Sequence, residues 1–541
     1  DDLDRYGDTN TLDFLRRLPG VNVDTGGPRM RGLGAGYTQI LINGDPAPQG
    51  FNLDQLSPSQ IERIEVIKAA TADQSAQAIA GTINIVLREG QRANPDDLKV
   101  GSNFEHGYRS DNLNWVHNLK TEPLNGTLTV SAMNSWRPDD VTTVTDSEVQ
   151  ALGNMPAWSS ERIKHTVGLG HREGLNANAR LSWRGEEGRS LVLMPFMVYS
   201  EYSSLGHIDL SENKSIKGVA QPFLTDMADT TNNSRFVMTR LNGQWNQRFS
   251  ADARFEFKFG LGESHYKYRF NQIETGQSGL LYSLQESQSF KDLSQSWNGK
   301  LTVVQSNGHQ LVSGVELETV RRTEEAIAEV SDEAGNMRAR TQRWAIYTQD
   351  EWTINPKWSA HAGIRYENIL TEGNNEEGAK RNQSGVLTPL LHAVWKPLPD
   401  SRDQIRFSLT RSYKTPTLFN LVAKTALSRE ANSPTRVDRI SNPGLKPELA
   451  TGIDVAVERY LSEGGVLSAN IFRRNISDLI RYVTSERYDT VWAPGQRRFV
   501  SSPQNVGNAV TQGLELEAKF GLDRVWSSAL PIDVRSNLSF F

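Results

Sequence analysis

The chain of 541 residues has no cysteine. That excludes a disulfide framework, a thiol nucleophile and cysteine-ligated zinc, and leaves the compartment open. It has no run of about 18 apolar residues, so no transmembrane helix is expected. Mean hydropathy is low, at -0.53. A low mean does not exclude the membrane, because strands that alternate apolar and polar residues average out. An excess of one charge is also lacking: the net charge of -5 gives nucleic acid no footing. The opening DDLDRYGD has neither the basic start nor the apolar stretch of a secretion signal.

Catalytic signatures are missing as well. The nine histidines are scattered, with no HExxH and no pair at ligand spacing. There is no Gly-x-Ser-x-Gly elbow. The stretch Arg31 to Gly36, RGLGAG, lacks the Gly-Lys-Ser/Thr of a phosphate loop and leads into a strand rather than a helix. Glu186-Glu187 and Glu376-Glu377 fall in predicted turns or loops, where carboxylates are solvated. No catalytic residue, metal ligand set or cofactor motif is indicated, and the chain is not read as an enzyme.

What is present is organised around Ile61 to Arg88, which reads as strand, turn, strand. Ile61, Ile64, Val66 and Ile67 stand among charges, Ala69 to Ala80 is small and polar, and Thr82 to Leu87 is β-branched. Upstream, Leu12, Leu15 and Leu18 have helical spacing, with Thr9 or Asn10 as cap and Pro19-Gly20 as stop. Asn43-Gly44-Asp45-Pro46 signals a turn, and Ser57-Pro58 a helix start. Residues 1–90 therefore read as a small α/β domain, followed by a polar linker. From residue 98 to 541 the texture is period-two. Phe255, Phe257 and Phe259 oppose Arg254, Glu256 and Lys258; Ile364 and Tyr366 oppose Arg365 and Glu367; Leu514, Leu516 and Ala518 oppose Glu515, Glu517 and Lys519.

Connections alternate in length. Short ones lie near 121–126, 185–188, 247–250, 305–309, 355–357, 397–403 and 461–465. Long polar ones lie near 138–160, 205–230, 271–288, 322–340, 370–384, 414–447 and 481–508. Short turns on one side and long loops on the other describe an outer-membrane β-barrel. Trp136, Trp183, Trp344, Trp352, Trp358 and Tyr413 fall near strand ends, as interfacial aromatics do. The fold expected is β-dominated: a transmembrane antiparallel barrel of about 17 strands around a small N-terminal α/β domain.

The chain resembles the TonB-dependent outer-membrane receptors. LRRLPGVNV, MRGLG, ILINGDP and IERIEVIKAATA…AIAGTINIV match the plug of that family in order. IYTQDEW, GIRYE, SLTRSYKTPTLFNL, NPGLKPELATG and NVGNAVTQGLELEAKF match its barrel. Where the family usually has Arg-Gly-Pro, this chain has Lys68-Ala69-Ala70; lysine keeps the charge without the bidentate fork.

The resemblance implies a barrel of about 22 strands, and hence a wall left incomplete, together with a lost signal peptide and N-terminal tail. It implies contacts between plug Arg31 and Lys68 and wall Asp454 and Glu515; the alternative is that these two acids simply line a wet lumen. It places substrate at the plug apex, with Tyr37, Asp45, Gln49 and Phe51 as contacts, although Asn-Gly-Asp-Pro needs no ligand to explain it. It further implies active uptake of a scarce, bulky substrate, with a ferric siderophore foremost and oligosaccharide, haem or cobalamin as alternatives. Partners would be the TonB–ExbB–ExbD complex and outer-membrane lipid, and the receptor would be a monomer. A passive porin or docking barrel, and a secreted β-rich enzyme or lectin, are the readings from other classes.

Overall fold

The computed structural model describes residues 11, 15, 16, 18, 20–24, 27–34, 36–47, 51, 53, 56 and 61–87 of the first 95. From 96 onwards it describes all but 106, 122, 150–156, 222–223, 277–278, 329–334, 376, 399–400, 429–431, 435–436, 462–464, 526–529 and 531. The expected caps Thr9 and Asn10, the stop at Pro19, the helix start at Ser57-Pro58 and the proposed contact Gln49 lie outside the described residues. Thr11 and Leu15 are helical.

The N-terminal domain is built on two small sheets. Strands β1 (Val21–Asp24) and β2 (Gly27–Met30) form an antiparallel hairpin. Strands β3 (Thr38–Ile42), β4 (Asp45–Pro46), β5 (Ile61–Ile67) and β6 (Gly81–Leu87) form a sheet in the order β4-β3-β6-β5. β6 is central, parallel to β3 and antiparallel to β5, so both its faces are covered and its residues read as a near-continuous apolar run. Ile61, Ile83, Ile85, Met30 and Leu15 are wholly buried in the core. Gly81 has φ of 130°, and a Cβ there would stand 2.8 Å from the Ile67 carbonyl oxygen. Only glycine fits that approach. Asn43 and Gly44 both have positive φ, 51° and 89°, as a tight hairpin turn requires. Asp45-Pro46, expected within the turn, already belong to β4.

The wall has seventeen strands among the described residues, from Asp96–Glu105 to Asp533–Phe540, besides the two-residue return Val219–Ala220. Each is antiparallel to the next. In strand order the wall closes on itself, with the last strand beside the first. An open edge was expected; the strand order closes instead, although Asp96–Glu105 and Asp533–Phe540 at the seam are exposed along nearly their whole length. Because seventeen is odd, the two strands at the seam run the same way.

Most of the expected long loops are strand instead. Leu124–Val149 has 26 residues, Trp158–Arg184 and Ser190–Ile216 have 27 each, and Leu224–Arg248 has 25. A membrane needs only about 10. The stretches 138–149, 205–216, 279–288, 335–340 and 370–375 therefore continue the hairpins beyond the bilayer. They carry polar residues on both faces, so they read as loops. The backbone ladder persists because nothing breaks it, and charged partners face each other across it, as in the His207–Asp229 pair at 2.7 Å.

True loops follow Lys414 and Ser477. They hold the short helix α1 (Leu418–Val422), capped by Thr417, and a three-stranded sheet of Asp438–Arg439, Ile480–Arg487 and Arg498–Asn505. Asp438 pins this package. It accepts hydrogen bonds from Arg498 Nε at 2.8 Å and Nη2 at 2.7 Å, Trp492 Nε1 at 2.9 Å and the Ser428 amide at 2.9 Å. Burial alone would raise its pKa, but these donors outweigh burial and hold it below the usual carboxylate range. The stabilisation is present above about pH 4 and is lost as pH falls through the depressed value. Hydrogen exchange across 480–505 is therefore expected to accelerate in acid, and an Asp438→Asn variant to exchange fast at neutral pH.

The outer face of the wall is apolar over a band. Ile346 is 54% exposed, Ile364 44% and Ile471 62%, which suits lipid and not water. Stacked Trp183–Trp245, His309–Trp352 and Trp358–Trp395 pairs stand beside the short turns. The Trp344–Tyr366 pair marks the far edge. Eight residues separate Trp344 from Trp352 and Trp358 from Tyr366, about 27 Å of strand and roughly 20 Å of depth at a tilt near 40°. Tyr413, read as interfacial, is instead fully buried inside the wall. Its strand pairs with Gly378–Trp395 only as far as Thr410, and beyond that point its end turns inward.

Candidate functional site

The N-terminal domain sits inside the wall and is held there by ion pairs. Arg31 Nη2 lies 2.6 Å from Asp454 Oδ1. Arg31 occupies a left-handed turn at φ 57°, which swings its side chain outwards. Its guanidinium also covers the Phe472 ring at 4.7 Å, and its carbonyl accepts from Thr511 Oγ1 at 3.1 Å. Arg474, which sequence reasoning missed, takes the second oxygen of Asp454 at 2.5 Å. Burial lowers the Arg31 pKa to about 10, with Asp454 opposing the fall; the group stays charged at neutral pH. Lys68 Nζ reaches Glu515 at 2.5 Å, and Asn470 donates to the same oxygen at 3.0 Å.

A larger contact lies in the β5–β6 connection. Its main-chain groups are gripped by the wall. Gln349 Oε1 accepts from the Ala72 amide at 2.9 Å, and Arg365 Nη1 donates to the Ala72 carbonyl at 3.2 Å. His392 Nε2 donates to the Ala70 carbonyl at 3.1 Å, and the Tyr413 amide donates to the Ala76 carbonyl at 2.9 Å. Lys300 reaches Asp73 at 3.4 Å. Behind this grip is a buried charge cluster. Glu367 accepts from Arg343 at 2.7 Å, Arg365 at 2.8 Å and Tyr413 at 2.8 Å, and Glu316 joins both arginines. The inward alternation of Arg365 and Glu367 was the sequence signal for it; the bonds to main-chain atoms had none. The cleft between this connection and the wall holds only about 30 Å³, room for a water or two.

The apex residues divide. Asp45 is engaged by the wall, with Arg240 at 2.8 Å and Ser296 at 3.3 Å. Burial raises its pKa, against the pull of Arg240. Tyr37 is buried, with Lys414 Nζ 3.8 Å above its ring. Burial and then Glu448 push its hydroxyl up to about 12, so it stays protonated. Phe51 meets Phe236 of the wall edge-to-face at 6.2 Å.

From Phe51 a run of rings climbs the inner wall. Phe236 is opposite Tyr266 in the ladder. Tyr266 lies 4.9 Å from Phe290 and 6.4 Å from Tyr268, which stands 6.4 Å from Phe270. Arg322 covers Phe290 at 5.0 Å and pairs with Asp292 through two bonds of 2.7 and 2.5 Å. Tyr268 and Phe270 are partly exposed. Apart from Phe51 the sequence reading named none of these rings, although Tyr266, Tyr268 and Phe270 alternate along one strand.

A closed transmembrane barrel with a separate domain seated inside it by polar contacts defines the class: a plugged outer-membrane receptor. The family model for the TonB dependent receptor-like beta-barrel matches residues 199–540, and that for the TonB-dependent Receptor Plug Domain matches residues 1–82. The chain belongs to the TonB-dependent receptors, which are outer-membrane proteins and not enzymes. It is 20% identical over 538 residues to the iron-regulated outer membrane virulence protein of Vibrio cholerae, covering 95% of this chain and 71% of that one. It is 21% identical over 558 residues to the vitamin B12 transporter BtuB of Vibrio vulnificus, covering 96% and 71%. In fold it matches a mutant of the ferric enterobactin receptor PfeA of Pseudomonas aeruginosa, with a TM-score of 0.64 at 17% identity, covering 96% of this chain and 76% of that one.

Proposed function

We propose that this receptor imports a ferric siderophore carrying aromatic groups, driven by the TonB–ExbB–ExbD complex. The observation that carries the reading is the run of rings from Phe51 to Phe270, which leads from the mouth to the plug apex. Partly exposed rings on a rigid strand bind flat ligands at low entropic cost. The iron regulation of the Vibrio cholerae relative and the ferric enterobactin receptor fold support the same class. Plug Arg31 and Lys68, with wall Asp454 and Glu515, serve in this reading as a polar seat that a pull from the periplasm can release. Contacts made of charge and hydrogen bonds can be exchanged for water when the plug moves, whereas a fully apolar interface could not. Phe51 would meet the ligand; Tyr37 and Asp45 would shape the apex from beneath.

The test is growth under iron limitation of a host lacking its own receptors, supplied with a panel of ferric siderophores, with and without TonB. TonB-dependent rescue by an aryl siderophore is the expected result. No rescue by any, with the protein present in the outer membrane, would sink the iron reading and turn attention to oligosaccharide, haem or cobalamin. Within the reading, a Tyr268→Ala/Phe270→Ala variant is expected to bind its ligand about tenfold more weakly, at roughly 1.4 kcal/mol lost. Its thermal stability should be unchanged, because both rings are partly exposed. Equal affinity would remove the rings from the binding path.

A further inference from the structure

The ring ladder leads onto a strip of inner wall lined by glycine, serine and asparagine between two cations. The strip lies on the strands Leu224–Arg248, Ala253–Gly276 and Gly279–Val304, and ladder register sets its rows. Two inward rows below Phe236, Tyr266 and Phe290 come Arg240, Gly262 and Ser294, and then Asn242, Gly260 and Ser296. Asn298 and Lys300 continue the same face toward the short turns. A Cβ at Gly260 would stand 2.8 Å from Arg240 Nη2 and 2.5 Å from Ser296 Oγ, so the bare backbone lets the guanidinium lie against the wall. Lys258, opposite Asn298, is 49% exposed: water already reaches this part of the lumen.

Among the described residues, two ion pairs join the plug to this strip. Asp45 meets Arg240 at its head, and Asp73 meets Lys300 below. Ser296, which donates to Asp45, and Lys300 are four residues apart, about 13 Å along the strand, so the pairs stand one behind the other. Both pairs are partly exposed, and their cations keep other partners on the wall. Arg240 Nε donates to Asn242 at 2.8 Å, and Lys300 reaches Glu256 at 3.1 Å. Asp73 in turn accepts from Thr71 at 2.6 Å. Opening either pair therefore leaves no cation bare, and partly exposed pairs are weak. The seat at Asp454 differs: Arg31 is wholly buried, and its Nε and Nη1 have no hydrogen-bond partner among the described residues.

We propose that the imported ligand descends this strip, and that Asp45–Arg240 and Asp73–Lys300 are two gates in series along it. This route presupposes that the chain is an importer, and it serves any substrate that reaches the rings. Small neutral groups offer the ligand hydrogen bonds without a deep electrostatic trap. The arc carrying Arg343, Arg365 and Glu367 is unsuited to passage, because its buried charge cluster grips the plug. The lower gate also couples passage to the pull. Asp73 follows Ala72, whose amide and carbonyl the wall holds, so a force that frees the β5–β6 connection withdraws Asp73 from Lys300. A small ion needs only the two bridges broken; a bulky ligand needs the connection moved as well.

The test uses the full-length receptor in planar bilayers with potassium chloride, so it needs no substrate and is separate from the growth panel that tests import. Asp45→Asn/Asp73→Asn should be open about ten times as long as the native protein, as the loss of two weak pairs implies. With no native cysteine, a single thiol is then added to that variant at one of two places. Asn298→Cys lies on the strip; Thr127→Cys lies on the inward face of Leu124–Val149, in line with buried Thr129 and Ser131 and five wall strands away. A bulky maleimide should abolish the openings of the first and leave those of the second. Should the acid variant fail to insert, Arg240→Gln/Lys300→Gln breaks the same pairs from the wall side and carries the comparison. An inserted variant as silent as the native protein, openings blocked from Thr127→Cys, or openings untouched at Asn298→Cys would each overturn this route. Openings blocked at Asn298→Cys with no growth on any siderophore would sink the iron reading and leave the passage standing.

Discussion

Replacing Asp454 with alanine is expected to unseat the plug. The carboxylate bridges Arg31 and Arg474 at 2.6 and 2.5 Å, and these side chains are 0% and 2% exposed. Without it two buried guanidiniums face each other with no counter-charge between them. Removing one partner of a buried ion pair costs about 3–5 kcal/mol, because the other is left uncompensated. Burial already brings the Arg31 pKa down to about 10, with Asp454 opposing the fall, so loss of Asp454 lowers it further. The measurement is conductance in planar bilayers: the native protein should be nearly silent and Asp454→Ala should show openings. Arg31→Met/Asp454→Leu should be less leaky than Asp454→Ala alone, since an apolar pair carries no orphan charge. A silent, stable Asp454→Ala protein would mean that the grip on the β5–β6 connection suffices to hold the plug.

A cysteine pair at Ala72 and Gly363 is expected to stop import while sparing ligand binding. A Cβ at Gly363 would lie 3.0 Å from the Ala72 Cβ. A disulfide prefers roughly 3.5–4.5 Å, so the connection must give by about half an ångström. With no native cysteine, the engineered pair has one crosslink to form. It locks the loop whose amide and carbonyl are held by Gln349 and Arg365, far from the ring ladder that contacts ligand in our reading. Import should vanish on oxidation and return on reduction, with affinity constant throughout. Import through the crosslinked protein would place the moving part of the plug elsewhere.

Much of this was legible in the chain, for a definite reason. Alternation survives any arrangement of neighbours, so Phe255, Phe257 and Phe259 could be assigned to one face and Arg365 and Glu367 to the other before any contact was known. The pairing partners Arg31, Lys68, Asp454 and Glu515 came from resemblance, and the structure brings Arg31 to Asp454 and Lys68 to Glu515. Other features had no local mark. The plug connection is held through the main chain of Ala70, Ala72 and Ala76, and alanine side chains announce nothing of it. Asp45 reads as a free apex acid until Arg240 is seen beside it. The hairpins above the membrane read as loops because both faces meet water, so the apolar alternation that marks a strand is absent.

The sequence by itself determined the two-part organisation, the period-two wall, the side of the short turns and the lack of any catalytic apparatus. These depend on residue order and on what each residue can do alone. The tertiary structure decided how far the strands extend, how the wall closes and that Tyr413 turns inward to Glu367. Each of those is set by the register between strands distant in sequence, and register is a property of the assembled ladder.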